Sequence, residues 1–490
     1  MIDGAGTMNE QPRTITLLQI NDTHGYLESH PELFWESGRA IYRTAGGYPR
    51  IKTIFENARH EASGPVFAFD NGDTFHGTYV AVHTKGEALV EPVNALGLDA
   101  WTAHWDFAYG VPRLKELAGR LNHPLLAINC YDKQTGERPF KSYTIIERGG
   151  LRVGVIGIAA TIIDKTMPPH FSEGLRFTLG NEELPEAIKT LREQKRVHLV
   201  VVLSHLGFPQ DVKLAHEVKG IDVLLSGHTH NRIDRPFYVN RTPIIESGCH
   251  GSFVGRLDVE VGGGTSRVLN HQLITVDESI EPDAAMQRLV DAAIAPHRST
   301  LHPIAGSTES ALNRNNVLEA TMDNFLLDAI AQAAGTEIAF SNGWRYGAPI
   351  LPGPVTINDL WNIIPPNPPV SIVDLTGCEL RDMLEQNLEN TFAADPYAQM
   401  GGYMKRCRGL TVYIKIENPH GARVRQIFVG DDPVDVDAVY PVAFVTTQGV
   451  PKDIGRNRRD LPMHAIDALR QLLQRRGSID ARLRGTVVAI

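Results

Sequence analysis

Residues of metal-ligating type fall in five short pieces along the first half of the chain: Asn21-Asp22-Thr23-His24-Gly25, Asp70-Asn71-Gly72-Asp73, Ala103-His104-Trp105-Asp106, Ser204-His205 and Gly227-His228-Thr229-His230. Each piece closes an apolar run. Mixed carboxylates and imidazoles suit a pair of divalent ions better than a single one, because one Asp can bridge while two sets of N and O donors close around it. Such a centre activates water and neutralises an oxyanion, so the chain reads as a hydrolase. Taken singly, Asp22 reads equally as a turn cap and His205 as a satisfied core histidine. It is their joint order along the chain that points to metal.

The elements that must position these residues follow from hydrophobic pattern. Ile15–Ile20, Val66–Phe69, Leu125–Ile128, Val153–Ile158, Leu199–Leu203 and Val223–Leu225 read as buried strands. Between them, Tyr48, Ile51, Ile54 and Phe55 share a helical face, as do Leu184, Ile188 and Leu191. Alternation of this kind predicts a layered α/β domain, with its site in loops beyond the carboxyl ends of strands. Four of the five pieces directly follow an expected strand, and His104 has no clear element before it.

At 490 residues the chain calls for two domains. The first is expected over 12–281, an amphipathic connecting helix over 282–299, and a second domain over 300–490. In the second, helices are expected at Met322–Ala334, Gly377–Asn387 and Met463–Leu473, and strands at Glu337–Ser341, Leu410–Ile416 and Ala438–Thr446.

Composition narrows the partners. A net charge of −9 disfavours nucleic acid, and no apolar run approaches the length of a membrane span. The first fourteen residues hold no apolar h-region, which gives a cytoplasmic expectation, or a periplasmic one if a leader was removed. Cys130, Cys249, Cys378 and Cys407 form no CxxC pair and are expected as free thiols. Cys407, beside Lys405, Arg406 and Arg408, reads as a strand-edge cysteine rather than an activated one.

The motifs resemble the 5'-nucleotidase branch of the calcineurin-like metallophosphoesterases over nearly the whole chain. Asn21-Asp22-Thr23-His24 is similar to the family's N-D-x-H, and Asn71-Gly72-Asp73-Thr74-Phe75-His76-Gly77-Thr78 to its G-D-x-x-Q-G-T. Ser204-His205 and Gly227-His228-Thr229-His230 resemble its later metal motifs. The resemblance implies a four-layer α/β/β/α sandwich followed by a smaller α+β C-terminal domain. It also implies that Asp22, His24, Asp73 and His230 hold one ion, while Asp73, His104, His205 and His228 hold the other. Manganese and zinc lead as cofactors, with iron and cobalt open.

Departures from the family pattern are equally informative. Where the family has G-N-H-E-F-D, this chain has Ala103-His104-Trp105-Asp106-Phe107-Ala108, so Trp105 replaces the catalytic His and Ala108 the Asp that orients it. His76, at the family's Gln position, is a candidate proton donor or a partner to a ligand. The two base-clamping rings of the nucleotidases are missing from Pro365-Pro366-Asn367 and Thr447-Gln448-Gly449-Val450-Pro451, leaving Trp344, Tyr346 or Trp361 to compensate. Arg345, in Ser341-Asn342-Gly343-Trp344-Arg345-Tyr346-Gly347, is expected to grip the substrate anion. Arg406 is a second candidate, and Trp105 and Asn342 are further substrate contacts. The same departures resemble the SoxB thiosulfohydrolase branch, whose persulfide leaving group needs no general acid.

The leading expectation is a two-metal hydrolase of phosphate monoesters, with a metal-bound hydroxide as nucleophile and a small anionic substrate between the domains. A SoxB-like hydrolase acting on a carrier-protein thiosulfonate is the rival, and a decayed binding protein is a third reading.

Overall fold

The structure is a computed structural model and describes residues 12–490. Two sheets form the first domain. One has the order Thr265–Thr275, Phe253–Gly262, Arg13–Ile20, Val66–Asp70, Ala100–Trp101. The other runs Phe237–Val239, Thr242–Ile245, Val223–Leu225, Leu199–Ser204, Leu151–Ile158, Tyr143–Arg148. Their inner faces meet in a dry layer of Ile15, Leu17, Phe67, Phe69, Val153, Val155, Leu199, Val201 and Leu203. Period-two alternation sends the other side chains of each strand outward, where helices cover them. Tyr48–Glu61 packs through Tyr48, Ile51 and Phe55 on the first sheet, and Phe208–Glu217 packs through Leu214 and Ala215 on the second. The result is the α/β/β/α sandwich.

Parallel pairing sets the direction of the functional loops. Arg13–Ile20 pairs parallel with Val66–Asp70, which pairs parallel with Ala100–Trp101. Leu199–Ser204 pairs parallel with both Leu151–Ile158 and Val223–Leu225. The carboxyl ends of these strands therefore open on one edge, and all five ligand pieces follow them. His104 does so too, after a two-residue strand too short to leave a pattern. By contrast, Leu125–Ile128 forms only isolated bridges, Trp101 to Leu125 and Leu126 to Lys141, and not the expected strand.

Ala284–Ile294 is the connecting helix. Asp283 caps it by accepting from the Met286 amide, and it gives way to a 3₁₀ turn at Ala295–His297. The second domain holds a five-stranded sheet in the order Tyr403–Arg408, Ile338–Gly343, Val439–Phe444, Pro369–Thr376, Arg456–His464. Thr321–Ala334 and Ala465–Arg476 pack together, while Gly377–Phe392 joins a separate core through Leu380, Met383, Leu384 and Leu388. A capping box fixes the start of this last helix: the Thr376 hydroxyl accepts the Glu379 amide while the Glu379 carboxylate accepts the Thr376 amide. Among the described residues no helix is long and apolar enough to cross a membrane.

Candidate metal centre

The ligand loops are bent in a way few side chains tolerate. Asp22 (φ 51°), His24 (51°), Asp73 (58°), His228 (79°) and His230 (61°) all sit in the left-handed region, at a cost of about 1 kcal/mol each. Interlocking hydrogen bonds between loops offset that strain. The Asp22 amide donates to the Gly72 carbonyl at 2.9 Å and the His24 amide to the Asp73 carbonyl at 2.7 Å. At Gly72 (φ 93°) a Cβ would lie 2.6 Å from the Thr102 carbonyl oxygen, so only glycine permits this approach.

Asp106 is the hub of these loops. Its Oδ2 accepts the amides of Asp73 and His104, and its Oδ1 those of Thr74 and Phe75, all within 2.9–3.1 Å. One buried carboxylate thus fixes the backbone of two ligands. Sequence reading takes Asp106 as part of a motif and misses this role, since a carboxylate bound to main-chain amides has no periodic signature.

The seven side chains converge in two groups, Asp22 with His24 and His230, and Asp73 with His104, His205 and His228. Asp73 Oδ2 lies 3.3 Å from His104 Nδ1, 3.4 Å from His205 Nε2 and 3.7 Å from His24 Nε2, so it faces both groups. Its Oδ1 is held by the Trp105 amide at 2.6 Å. Asp22 Oδ2 accepts the Asn21 side-chain amide, both Asp22 oxygens share the His228 backbone amide, and Oδ1 lies 3.3 Å from His230 Nε2 and 3.6 Å from His205 Nε2. His205 Nδ1 donates to the Asn71 carbonyl at 2.5 Å and His24 Nδ1 to the His76 carbonyl at 3.3 Å. A carbonyl at each Nδ1 aims Nε2 at the centre, as for metal-binding imidazoles.

The donor chemistry fits divalent metal. Burial raises the Asp73 carboxyl, but the His104 and His205 imidazoles outweigh it and hold the group well below the usual carboxylate range. Burial pushes His24 down to about 3 and takes His228 far below its ordinary value. His205 is the exception: burial lowers it, yet the carboxylates of Asp73 and Asp22 lift it to about 10. Anionic Asp73 and neutral His24 and His228 are the ligand forms metal requires. The buried Nε2 of His205, which faces Asp73 and Asp22, makes no hydrogen bond, as expected of an atom reserved for a cation.

A cavity of about 400 Å³ opens over the centre, lined by His24, Asp73, His104, His228 and His230 on one side and by second-domain loops on the other. Arg345 lines it. Its Nη1 donates to the His228 carbonyl at 3.0 Å and Nη2 to the Gly402 carbonyl at 3.1 Å, while the buried Nε has no partner. The guanidinium also lies over Tyr403. Trp105 and Asn342 line the cavity as well, as do Trp344 and Tyr346. Trp361 instead packs on Tyr79, at 4.9 Å between rings.

Two expectations fail geometrically. Arg406 does not reach the cavity: it is 2% exposed, and its Nε pairs with Asp323 while Nη1 and Nη2 donate to the Val317 and Asn316 carbonyls. Arg314 shares the same Asp323, so Arg406 belongs to a buried structural triad. His76 is stacked on Trp105 at 4.6 Å, 3% exposed and absent from the cavity lining, with burial taking it down to about 4. A neutral imidazole shielded by an indole is poorly placed to donate a proton. Cys407 is a buried residue of the edge strand, pushed up to about 12 by burial.

Lys405, Lys452, Lys165 and Gln448 also line the cavity, and sequence reading does not single them out as contacts. Gln448 joins the domains: its Nε2 donates to the Thr166 carbonyl, and its Oε1 accepts from Asn342 and Trp344 at 3.4 Å.

Comparison with known proteins agrees with this architecture. A calcineurin-like phosphoesterase model matches residues 15–232, and a 5'-nucleotidase C-terminal domain model matches residues 298–448. The chain is 24% identical over 480 residues to a 5'-nucleotidase of Vibrio vulnificus, covering 87% of this chain and 83% of that protein. It is 25% identical over 482 residues to the trifunctional nucleotide phosphoesterase protein YfkN of Bacillus subtilis, but spans only 31% of that longer protein. Among solved structures, the sulfate thiohydrolase SoxB of Thermus thermophilus superposes with a TM-score of 0.89 at 26% identity, covering 100% of this chain and 98% of that one. A 5'-nucleotidase precursor, also of Thermus thermophilus, shares the fold with a TM-score of 0.84 at 24% identity, covering 98% and 99%.

Proposed function

We propose, for a chain that belongs to the 5'-nucleotidase family of calcineurin-like metallophosphoesterases, that it hydrolyses phosphate monoesters at a two-metal centre. The observation that carries this reading is the convergence of Asp22, His24, Asp73, His104, His205, His228 and His230 beneath a cavity that also presents Arg345. Two divalent ions bound there would lower the pKa of water and neutralise charge developing on the transferred group. Asp73 would lie between them, with Oδ1 tethered by the Trp105 amide so that Oδ2 keeps its aim. Arg345 would hold non-reacting oxygens through its free N–H groups, since its carbonyl contacts fix the guanidinium without neutralising it. The phosphorus–oxygen ester bond breaks, the water oxygen joins phosphorus, and the leaving group departs as an oxyanion or takes its proton from solvent. The same reading divides the chain into 12–281 and 300–490, with 282–299 between them.

A substrate panel with Mn, Zn, Fe and Co tests this directly. Turnover of phosphate monoesters that Asp73→Asn abolishes supports it, and turnover unchanged by that substitution removes it.

A second reading has its own support. By the motif resemblance Trp105 stands where the family has its general acid, and the full-length likeness to SoxB is close in fold. A weakly basic sulfur leaving group suits such a site. Faster release of sulfate from a cysteine-linked thiosulfonate than of phosphate from p-nitrophenyl phosphate or AMP would favour it.

A further inference from the structure

The cavity carries more positive charge than one scissile anion needs. Its charged lining is Arg345, Lys405, Lys452 and Lys165 against a single carboxylate, Asp73, which belongs to the metal centre. Lys165 is already engaged by Asp164 and by the Thr161 and Phe177 carbonyls. Lys405 is not neutralised in this way. It is 7% exposed, and among the described residues its ammonium hydrogen-bonds only to the Gln448 carbonyl and no carboxylate lies within ion-pairing distance of it.

The strand that carries Lys405 is irregular at this point. Ser341 pairs with Arg406 and Gly343 with Tyr403, so Met404 and Lys405 together oppose the single residue Asn342. This is a bulge, the device by which an edge strand re-aims a side chain. Met404 enters the apolar core, Arg406 turns to Asp323, and Lys405 lines the cavity. Asn387 and Asn390 line it nearby, and Lys452 stands exposed on the lining without an ion pair among the described residues. A buried ammonium with one carbonyl partner and two spare N–H groups is a costly arrangement unless an anion completes it.

We propose that the substrate bears a second anionic group, a carboxylate or phosphate on its leaving-group portion, and that Lys405 binds it with Lys452 assisting. This rests on reading the metal cluster as the seat of the scissile anion. Burial pushes the Lys405 ammonium down to about 8, which leaves it mostly protonated at neutral pH and ready to be stabilised by an incoming anion.

Calorimetric titration of the metal-loaded protein with three non-hydrolysable probes tests the proposal. Propylphosphonate has no second anion, 3-phosphonopropionate adds a carboxylate, and propane-1,3-bisphosphonate adds a phosphonate. At least one doubly charged probe should bind on the order of tenfold or more tightly than propylphosphonate, the size of one charged hydrogen bond. Lys405→Met should collapse that ratio and Lys405→Arg should keep it. The ratio is the readout, because a merely structural loss weakens all three probes together. Equal binding of the three probes by the unsubstituted protein overturns the proposal, as does a ratio that survives Lys405→Met. The better of the two charged probes tells carboxylate from phosphate. The probes are not turned over, so a preference that persists while no phosphate ester is hydrolysed would remove the phosphatase reading and leave this one standing.

Discussion

The two walls of the cavity are built on opposite principles. The first-domain wall is backbone under constraint: five ligands in left-handed conformation, every ligand loop at the end of a parallel strand, and Asp106 binding four amides at once. The second-domain wall is made of side chains reaching from loops and a bulged edge strand, with Arg345 and Gln448 fastened to first-domain carbonyls. Rigid strand ends suit a reacting centre, where small displacements are costly. Side chains on irregular loops suit selectivity, because one substitution changes charge without disturbing the fold. The comparison assigns chemistry to one wall and choice of substrate to the other.

The sharpest way to break this division is at Asp106. Replacing it with Ala leaves four buried amides unsatisfied, and loss of a group that orients ligands is expected to weaken metal binding on the order of 10- to 100-fold, with activity falling at least as far. Metal titration alongside kcat/KM checks this, and a variant that keeps full metal affinity would detach Asp106 from the centre.

On the other wall, Arg345→Lys should lower kcat/KM for a phosphate ester on the order of 10- to 100-fold, since an ammonium lacks the planar fork. Metal content should not change. Equal loss of metal would mean that the walls are not separate in function.

Arg406→Met sharpens the contrast within the second domain. It breaks a buried triad and should cost about 3 kcal/mol of stability by denaturant titration, while kcat/KM holds. A raised KM without loss of stability would return Arg406 to the substrate.

A smaller effect is expected from pH. Lys405 has a folded pKa near 8, below its ordinary 10.5, so it loses its proton as pH rises through about 8. Preference for doubly charged ligands should therefore decline above pH 8. Over the window from about 8 to 10.5 the unfolded chain binds the extra proton, so Lys405's own contribution to stability rises with pH. Arg345, Lys452, Lys165 and the carboxylate of Asp73 face the same cavity. Measuring the ratio against that of Lys405→Met, which retains all four, isolates the Lys405 contribution.

The same contrast explains what the sequence reveals. The seven candidate ligands, and their convergence, are legible because metal chemistry admits few residue types and because long apolar runs such as Leu199–Ser204 announce strand ends. The strand before His104 is not legible, as Ala100–Trp101 is two residues long. Nor is the hairpin of Ser29–Glu36 and Arg39–Gly46, whose turn uses Ser37 and Gly38 at φ 50° and 76° where Asn-Gly would have signalled it. Leu125–Ile128 has the apolar pattern of a strand but lacks a continuous partner. In the second domain, sequence reading picks Arg406 rather than Lys405 because neighbouring strand residues face opposite sides, and which of the two faces the cavity is set by pairing with Ile338–Gly343. The buried Asp323 that claims Arg406 lies 83 residues away in sequence.

The proposed mechanism turns on Asp73 serving two ions at once. Protein purified from Mn-supplemented medium should carry about two ions per chain by elemental analysis, and Asp73→Asn should lose both together. One ion in the unsubstituted protein, or two retained in the variant, would contradict the account.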